Sequence, residues 1–240
     1  GLLRGGTVQR AGDVLPITAA LTSTSSGRTV WSERYDRPYH DLFALQDEIT
    51  AAVAAALKAK LLANAPVPVP TDRPPSGNLE AYTAYLQGKF LSDRNNLTDF
   101  PASIREYETA TRIDPRYALA WADLSRQWTA YAGQHLIGDA ARDAYAKARE
   151  TGMTALRIDP NLADAHGARA LLLTYHDFDW LGAEAEYRRA LELGPAFHDL
   201  RYRLARLLLD GGHSREARAE LEQVVAARPS LNCCCSRRII

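Results

Sequence analysis

Apolar Leu15, Ile17, Ala19 and Leu21 alternate with Pro16, Thr18, Ala20 and Thr22, the period of a strand with one face buried. Turn residues flank it, Ala11-Gly12-Asp13 before and Ser25-Ser26-Gly27 after, and the neighbouring segments carry Val8, Val30, Trp31 and Tyr35. The pattern predicts an antiparallel meander over residues 1–35. Pro16 has no N–H for the ladder, so it is expected at an edge or at the start of a strand. From Asp41 the period becomes helical: Leu45, Ile49, Val53, Ala56, Leu57 and Leu61 share one face. One long amphipathic helix is therefore predicted over 41–63, with Asp41 as N-cap and Asp47 and Glu48 in the early turns. Its stripe is expected to cover the small sheet; the lysines, few and scattered, favour that over a membrane surface. Residues 64–77, NAPVPVPTDRPPSG, hold Pro66, Pro68, Pro70, Pro74 and Pro75 and read as an extended, semi-rigid spacer.

Beyond residue 78 one grammar recurs. In the stretch AEAEYRRALELGP, small Ala183 and Ala190 flank bulky Tyr187 on one helical face, and Gly194-Pro195 ends the segment. The closing prolines are Pro115, Pro160, Pro195 and Pro229, in steps of 45, 35 and 34 residues. Counting back from each places Ser103, Ala148, Ala183 and Ala217 at the first small position of a second helix. Tyr107, Gly152, Tyr187 and Leu221 take the bulky one, and Ala110, Ala155, Ala190 and Val224 the next small one. Antiparallel helices approach closely only where side chains are small, which explains the pattern physically. First helices agree in part: Trp121, Leu124 and Trp128 keep a rhythm in which Ser125 replaces a glycine, Gly88 keeps that glycine, and His166 and Arg169 replace large residues. The longer second unit places its extra residues between Ala132 and Ala140, as longer helices or as a turn forming a lip.

This recurrence resembles tetratricopeptide (TPR) repeats, whose period is about 34 residues, over residues 78–229 in units 78–115, 116–160, 161–195 and 196–229. The fold class expected is mainly α: a TPR-type α-solenoid of about four helix pairs, preceded by a small α/β piece of antiparallel strands and one long helix. The run from Trp31 through Arg37, WSERYDR, followed by Asp41 through Ile49, DLFALQDEI, resembles the later half of a TolB-like domain, over residues 1–63. Asp177-Phe178-Asp179-Trp180 ahead of Gly182-Ala183 resembles the third repeat that follows such domains. The resemblance implies a bacterial signalling protein, with this domain between an output domain and a repeat array. Outputs in such proteins include adenylate cyclases, winged-helix regulators and Ser/Thr kinases. Pro16 departs from that domain's strand pattern. The chain begins at Gly1 without Met or a signal-peptide pattern, in what reads as mid-strand, and is expected to be a piece of a longer protein.

Charge and composition exclude several classes of function. With 29 basic and 29 acidic residues the chain lacks the basic excess of a dedicated nucleic-acid binder. No apolar run approaches a membrane span, the longest being interrupted by Lys58 and Lys60. Attachment to a membrane-anchored protein, on either side, stays open. Cys233, Cys234 and Cys235 are adjacent, in a tail (230–240) outside the repeats, and form neither a disulfide framework nor a zinc site. Gly5-Gly6-Thr7 lacks the lysine and spacing of a phosphate loop, and no hydrolase elbow or zinc helix occurs. His176, Asp177 and Asp179 form the densest titratable cluster; an incomplete ligand set makes it a structural turn, with Phe178 and Trp180 packing inward. No catalytic residue, metal or cofactor is expected.

The TPR resemblance implies a concave groove lined by the first helices. It maps Tyr82, Tyr85 and Lys89 from unit one and Leu119 and Arg126 from unit two. Asp164, Leu171 and Thr174 follow from unit three, and Tyr202 and Arg206 from unit four, with Arg203 beside them. Tyr and Arg combine apolar area with donors and suit peptide recognition, though they also serve as ordinary amphipathic surface. Asp123, Ala122 and Ala168 occupy places where a chaperone-tail clamp needs Lys and Asn, which disfavours that partner. The expected role is a non-catalytic sensory or scaffold module binding a protein or peptide segment. The alternatives are a regulatory piece of an enzyme (adenylate cyclase or Ser/Thr kinase) whose catalytic domain lies elsewhere, and self-association into a homo-oligomer.

Overall fold

A computed structural model describes residues 2–8, 14–23, 27–38, 41–58, 72–94 and 98–227. The chain divides into two compact units, Gly1–Thr71 and Asp72–Ile240. The turns at 11–13 and 25–26, the helix end at 59–63, the spacer up to residue 71, Pro229 and the cysteine tail lie outside the described residues.

In the first unit, β1 (Leu2–Val8), β2 (Val14–Ser23) and β3 (Thr29–Pro38) form an antiparallel sheet in that order, followed by α1 (Leu42–Lys58). The alternation sets the buried face: Ala19, Tyr35 and Leu45 form its core, with Ile17, Trp31 and Ile49 packed against them. Leu45 and Ile49 of the α1 stripe thus pack against this face of the sheet. Pro16 lies near the start of the central strand, opposite Asp36 of β3. The β1 pairing ends at Val8 opposite Ile17, so at Pro16 the described ladder runs on one side only and the missing donor is tolerated there.

The second unit is built of helix pairs: α2 (Leu79–Asp93) with α3 (Phe100–Ile113), α4 (Ala118–His135) with α5 (Gly138–Ile158), α6 (Ala163–Leu172) with α7 (Trp180–Leu193), and α8 (His198–Asp210) with α9 (Ser214–Ala227). A π-helical turn, Leu173–Asp177, extends α6. Each second helix packs on the next first helix, and α4 also packs on α6. At the junctions the helices end at Asp114-Pro115, Asp159-Pro160 and Gly194-Pro195, since proline cannot continue them. One turn then recurs: Tyr117, Leu162 and Phe197 donate their N–H to the carbonyls of Asp114, Asp159 and Gly194 at 3.0, 3.3 and 3.1 Å. In the third junction a Cβ at Gly194 would lie 2.2 Å from the Phe197 ring, so the glycine leaves room for the ring where it sits.

A second device recurs at the first-helix position held by Trp121, His166 and Arg201. Trp121 Nε1 donates to the Pro115 carbonyl at 3.0 Å, and His166 Nε2 lies 3.0 Å from that of Pro160. Arg201 donates to the Pro195 carbonyl at 3.3 Å. Each side chain spans six residues back to the junction. The repeat keeps an N–H at fixed reach rather than bulk, so the change from Trp to His to Arg preserves the bond. His166 and Arg201 also hold a carboxylate of their own second helix, Glu186 at 2.7 Å and Glu220 at 2.6 Å.

Close approach within pairs follows the small positions. Ala110, Ala148, Ala155, Ala183, Ala190 and Ala217 are fully buried. A Cβ on Gly88 would come within 2.9 Å of the Tyr107 ring, so the glycine makes room for the tyrosine. In the second pair the arrangement is inverted: Ser125 stands in place of the glycine and Gly152 in place of the tyrosine. Ser125 Oγ donates to the Ala148 carbonyl at 2.7 Å and lies 2.8 Å from where a Gly152 Cβ would be.

The extra residues of the second pair lengthen both helices, to 18 and 21 residues, and leave Leu136 and Ile137 between them. The last part of the spacer belongs to this unit. Pro74 is buried, Tyr117 Oη donates to the Asp72 carbonyl, and Asp114 accepts the Ser76 N–H at 3.0 Å. Asn78 Oδ1 then caps α2 by accepting the N–H groups of Glu80 and Ala81 at 2.8 and 3.1 Å.

Candidate functional site

The extension of α4 sets one wall of a cleft of about 490 Å³ in the second unit. Arg126, Gln127, Ala130, Gly133 and Gln134 line it from α4, with Ser92 and Phe100 on one side. Tyr145, Leu171, Tyr175 and Arg203 close the other. The apolar floor and convergent donors are the make-up of a site for an extended chain or small ligand. Aromatic order fixes the walls. Tyr145 stacks on His176 with centroids 4.1 Å apart and planes 8° from parallel, and Phe100 lies beside Tyr131 and His135 at 6.0 and 5.0 Å.

Two guanidinium groups give the cleft its charge. Arg126 is ion-paired with Asp123, a carboxylate only 4% exposed that also accepts the Tyr85 hydroxyl at 3.1 Å. A buried carboxylate requires such donors. Burial, reinforced by the neighbouring Tyr117 and Tyr107 hydroxyls, drives the Tyr85 pKa far up, so Tyr85 remains neutral and donating. Arg203 donates to Asp199 at 2.9 Å; burial works against its charge, and Asp199 outweighs it and holds the pKa above its usual value. Both arginines are oriented by acids behind them, with remaining N–H groups available to a ligand.

The expected groove residues divide. Arg126 and Arg203 line the cleft, as does Leu171. Tyr82 and Tyr85 do not: they are 4% and 1% exposed and belong to the core. Tyr85 packs between Tyr107 and Tyr117 at 5.9 and 5.0 Å, and the Tyr82 hydroxyl donates to Asp72 at 3.1 Å. Their partners lie 10 to 38 residues away in the sequence, which helix spacing does not reveal. Lys89 is exposed, its ammonium 5.9 Å from the Tyr85 ring centre. Tyr202, half-exposed, and exposed Arg206 lie outside the lining of the cleft. Gln127, Tyr145 and Tyr175 join it unforeseen, while Gln134 belongs to the extra residues of the second unit.

The His176 cluster is a turn whose members are occupied. Arg149 holds Asp177 through two bonds of 3.1 and 2.7 Å, and Asp179 caps α7 by accepting the Gly182 N–H at 3.0 Å. Phe178 and Trp180 do not pack inward, being 73% and 46% exposed. Phe178 adopts a left-handed φ of 53°, which turns its ring away from the helices.

Residues 175–231 match the family model of the tetratricopeptide repeat. Among solved structures, TTC0263, a thermophilic TPR protein of Thermus thermophilus, is similar at 21% identity and a TM-score of 0.55, over 79% of this chain and 87% of that one. PilW, a widely conserved type IV pilus biogenesis factor, is similar at 19% identity and a TM-score of 0.50, over 63% and 64% of the two chains. A Rhizobium meliloti (strain 1021) protein named "Putative adenylate cyclase 3" is 33% identical over 122 residues, half of this chain. The chain covers 20% of that relative's length. The second unit, with its helix pairs, proline junctions and matching repeats, is a TPR-type α-solenoid.

Proposed function

We propose that the solenoid is a protein-interaction module that holds a peptide segment in the α4-walled cleft, anchored by Arg126 and Arg203. The observation that carries this is the pair of oriented guanidinium groups in a cleft with aromatic walls, which suits a segment bearing a carboxylate beside an apolar side chain. The geometry also selects the test. Replacing Arg126 would strip a buried carboxylate of its partner, so Arg203→Glu combined with Gln134→Glu reverses the charge at less structural cost. On an immobilised peptide array, the wild-type chain should retain acidic, aromatic-containing peptides. The double variant should lose at least roughly tenfold in affinity, about 1.4 kcal/mol, with its helical circular dichroism unchanged. Equal retention by both proteins moves the interface elsewhere.

In its wider setting we read the chain as a regulatory piece of a bacterial signalling protein of the adenylate cyclase kind, with a TolB-like first unit. The Trp31–Arg37 and Asp41–Ile49 runs and the identity to the R. meliloti protein support this. Cyclase activity of the whole protein, measured with and without residues 72–227, tests the reading; identical rates and identical response to added peptide count against it.

A further inference from the structure

The inverted second pair leaves a space that the other pairs fill. Tyr107 and Tyr187, 2% and 1% exposed, occupy the bulky second-helix position, and Tyr107 lies against Gly88 of its partner helix. Gly152 sends no side chain of its own into this position, and only the Ser125 hydroxyl reaches it from α4, to 2.8 Å from where a Gly152 Cβ would lie. A separate cavity of about 190 Å³ remains between α4, α5 and α6, lined by Ser125, Gly152, Met153, Leu172 and Leu173. Arg149, Arg169 and Asp177 stand at its rim, with side chains 47%, 53% and 22% exposed. It shares no lining residue with the peptide cleft. Apolar cavities of roughly 150 Å³ admit a benzene ring.

We propose that this slot is a binding site for a phenol-type aromatic ring, which takes the place that Tyr107 and Tyr187 take in their own pairs. The ring lies against Leu172, Leu173 and Met153, and its hydroxyl meets the Arg149–Asp177 pair at the rim. The ring has two possible sources, a free phenolic compound or a tyrosine of another polypeptide. Both share this chemistry.

Met153 is the only methionine in the chain and is 63% exposed beside the slot, so its ε-methyl carbon is a single reporter resonance. Titrated with p-cresol into the millimolar range, the Met153 methyl should show a saturable ring-current shift. The same titration with N-acetyl-tyrosinamide distinguishes the sources: a shift with both probes admits a chain-borne tyrosine, and a shift with p-cresol alone a free phenol. The double substitution Ser125→Gly with Gly152→Tyr rebuilds the Gly88–Tyr107 arrangement and should weaken p-cresol at least roughly tenfold. A methyl resonance that neither probe moves overturns the proposal in the wild-type chain alone. So does an equal shift in the double variant, once circular dichroism shows that it folds.

Discussion

Asp114 ties residues 72–78 to the solenoid, and its removal should loosen that end measurably. Its carboxylate is 3% exposed and accepts two backbone N–H groups, Ser76 on Oδ2 and Arg116 on Oδ1, each at 3.0 Å. Hydrogen bonds to a charged group contribute about 1.5–3 kcal/mol each. Ser76 and Arg116 are exposed residues whose amides water can reach in the variant, so Asp114→Ala should cost about 2–3 kcal/mol rather than the full sum. Asn at this position offers one acceptor oxygen and turns an NH₂ towards the other N–H, so Asp114→Asn should recover about half of that loss at most. With a urea m-value of about 1–3 kcal/mol/M, the alanine variant should unfold roughly 1 M earlier. Hydrogen exchange of the Ser76 and Arg116 amides should accelerate with it.

The pH dependence follows with a fixed sign. Burial opposes the Asp114 charge, but the hydrogen bonds from Ser76 and Arg116 outweigh it and hold the carboxyl below its usual range. A folded pKa below the unfolded value of about 3.9 gives stability that is present above that value and is lost as pH falls through the folded pKa. The gap between wild type and Asp114→Asn should therefore be constant near neutrality and shrink below about pH 4. A gap that widens on acidification, or unchanged midpoints and exchange in both variants, would show that Asp114 does not hold this end.

Two further substitutions probe the close-packed positions. Tyr187→Ala should cost about 3–5 kcal/mol by urea unfolding, since the ring is 1% exposed, whereas Tyr187→Phe should cost less than about 1.5. Gly167→Val should cost about 1–3 kcal/mol, because even a Cβ there lies 2.8 Å from a Leu200 methyl; a midpoint equal to wild type would show that α8 yields freely.

Much of the architecture was legible because it rests on local periods. Leu15, Ile17, Ala19 and Leu21 marked a strand by alternation, and the Ala183–Tyr187–Ala190 triplet marked helices that pack closely. Proline steps located the junctions, since a missing N–H stops a helix whatever surrounds it. What tertiary structure alone decided was which side chains meet. Tyr82 and Tyr85 share the helical spacing of a groove residue, yet both are buried, Tyr82 bonded to Asp72 and Tyr85 packed between Tyr107 and Tyr117 and bonded to Asp123. Arg126 stays in the cleft because Asp123, buried one turn earlier, fixes it. Phe178 and Trp180 point to solvent because a π-helical turn and a left-handed residue end α6. The cleft and the slot arise from the lengthened second unit and from Gly152 facing Ser125. Both departures are visible as letters, but the volume they leave depends on helices far apart in the sequence, from Ser92 to Arg203 around the cleft and from Ser125 to Asp177 around the slot. Periodicity sets the face a residue occupies, and only the packing of neighbouring elements sets whether that face meets protein, ligand or water.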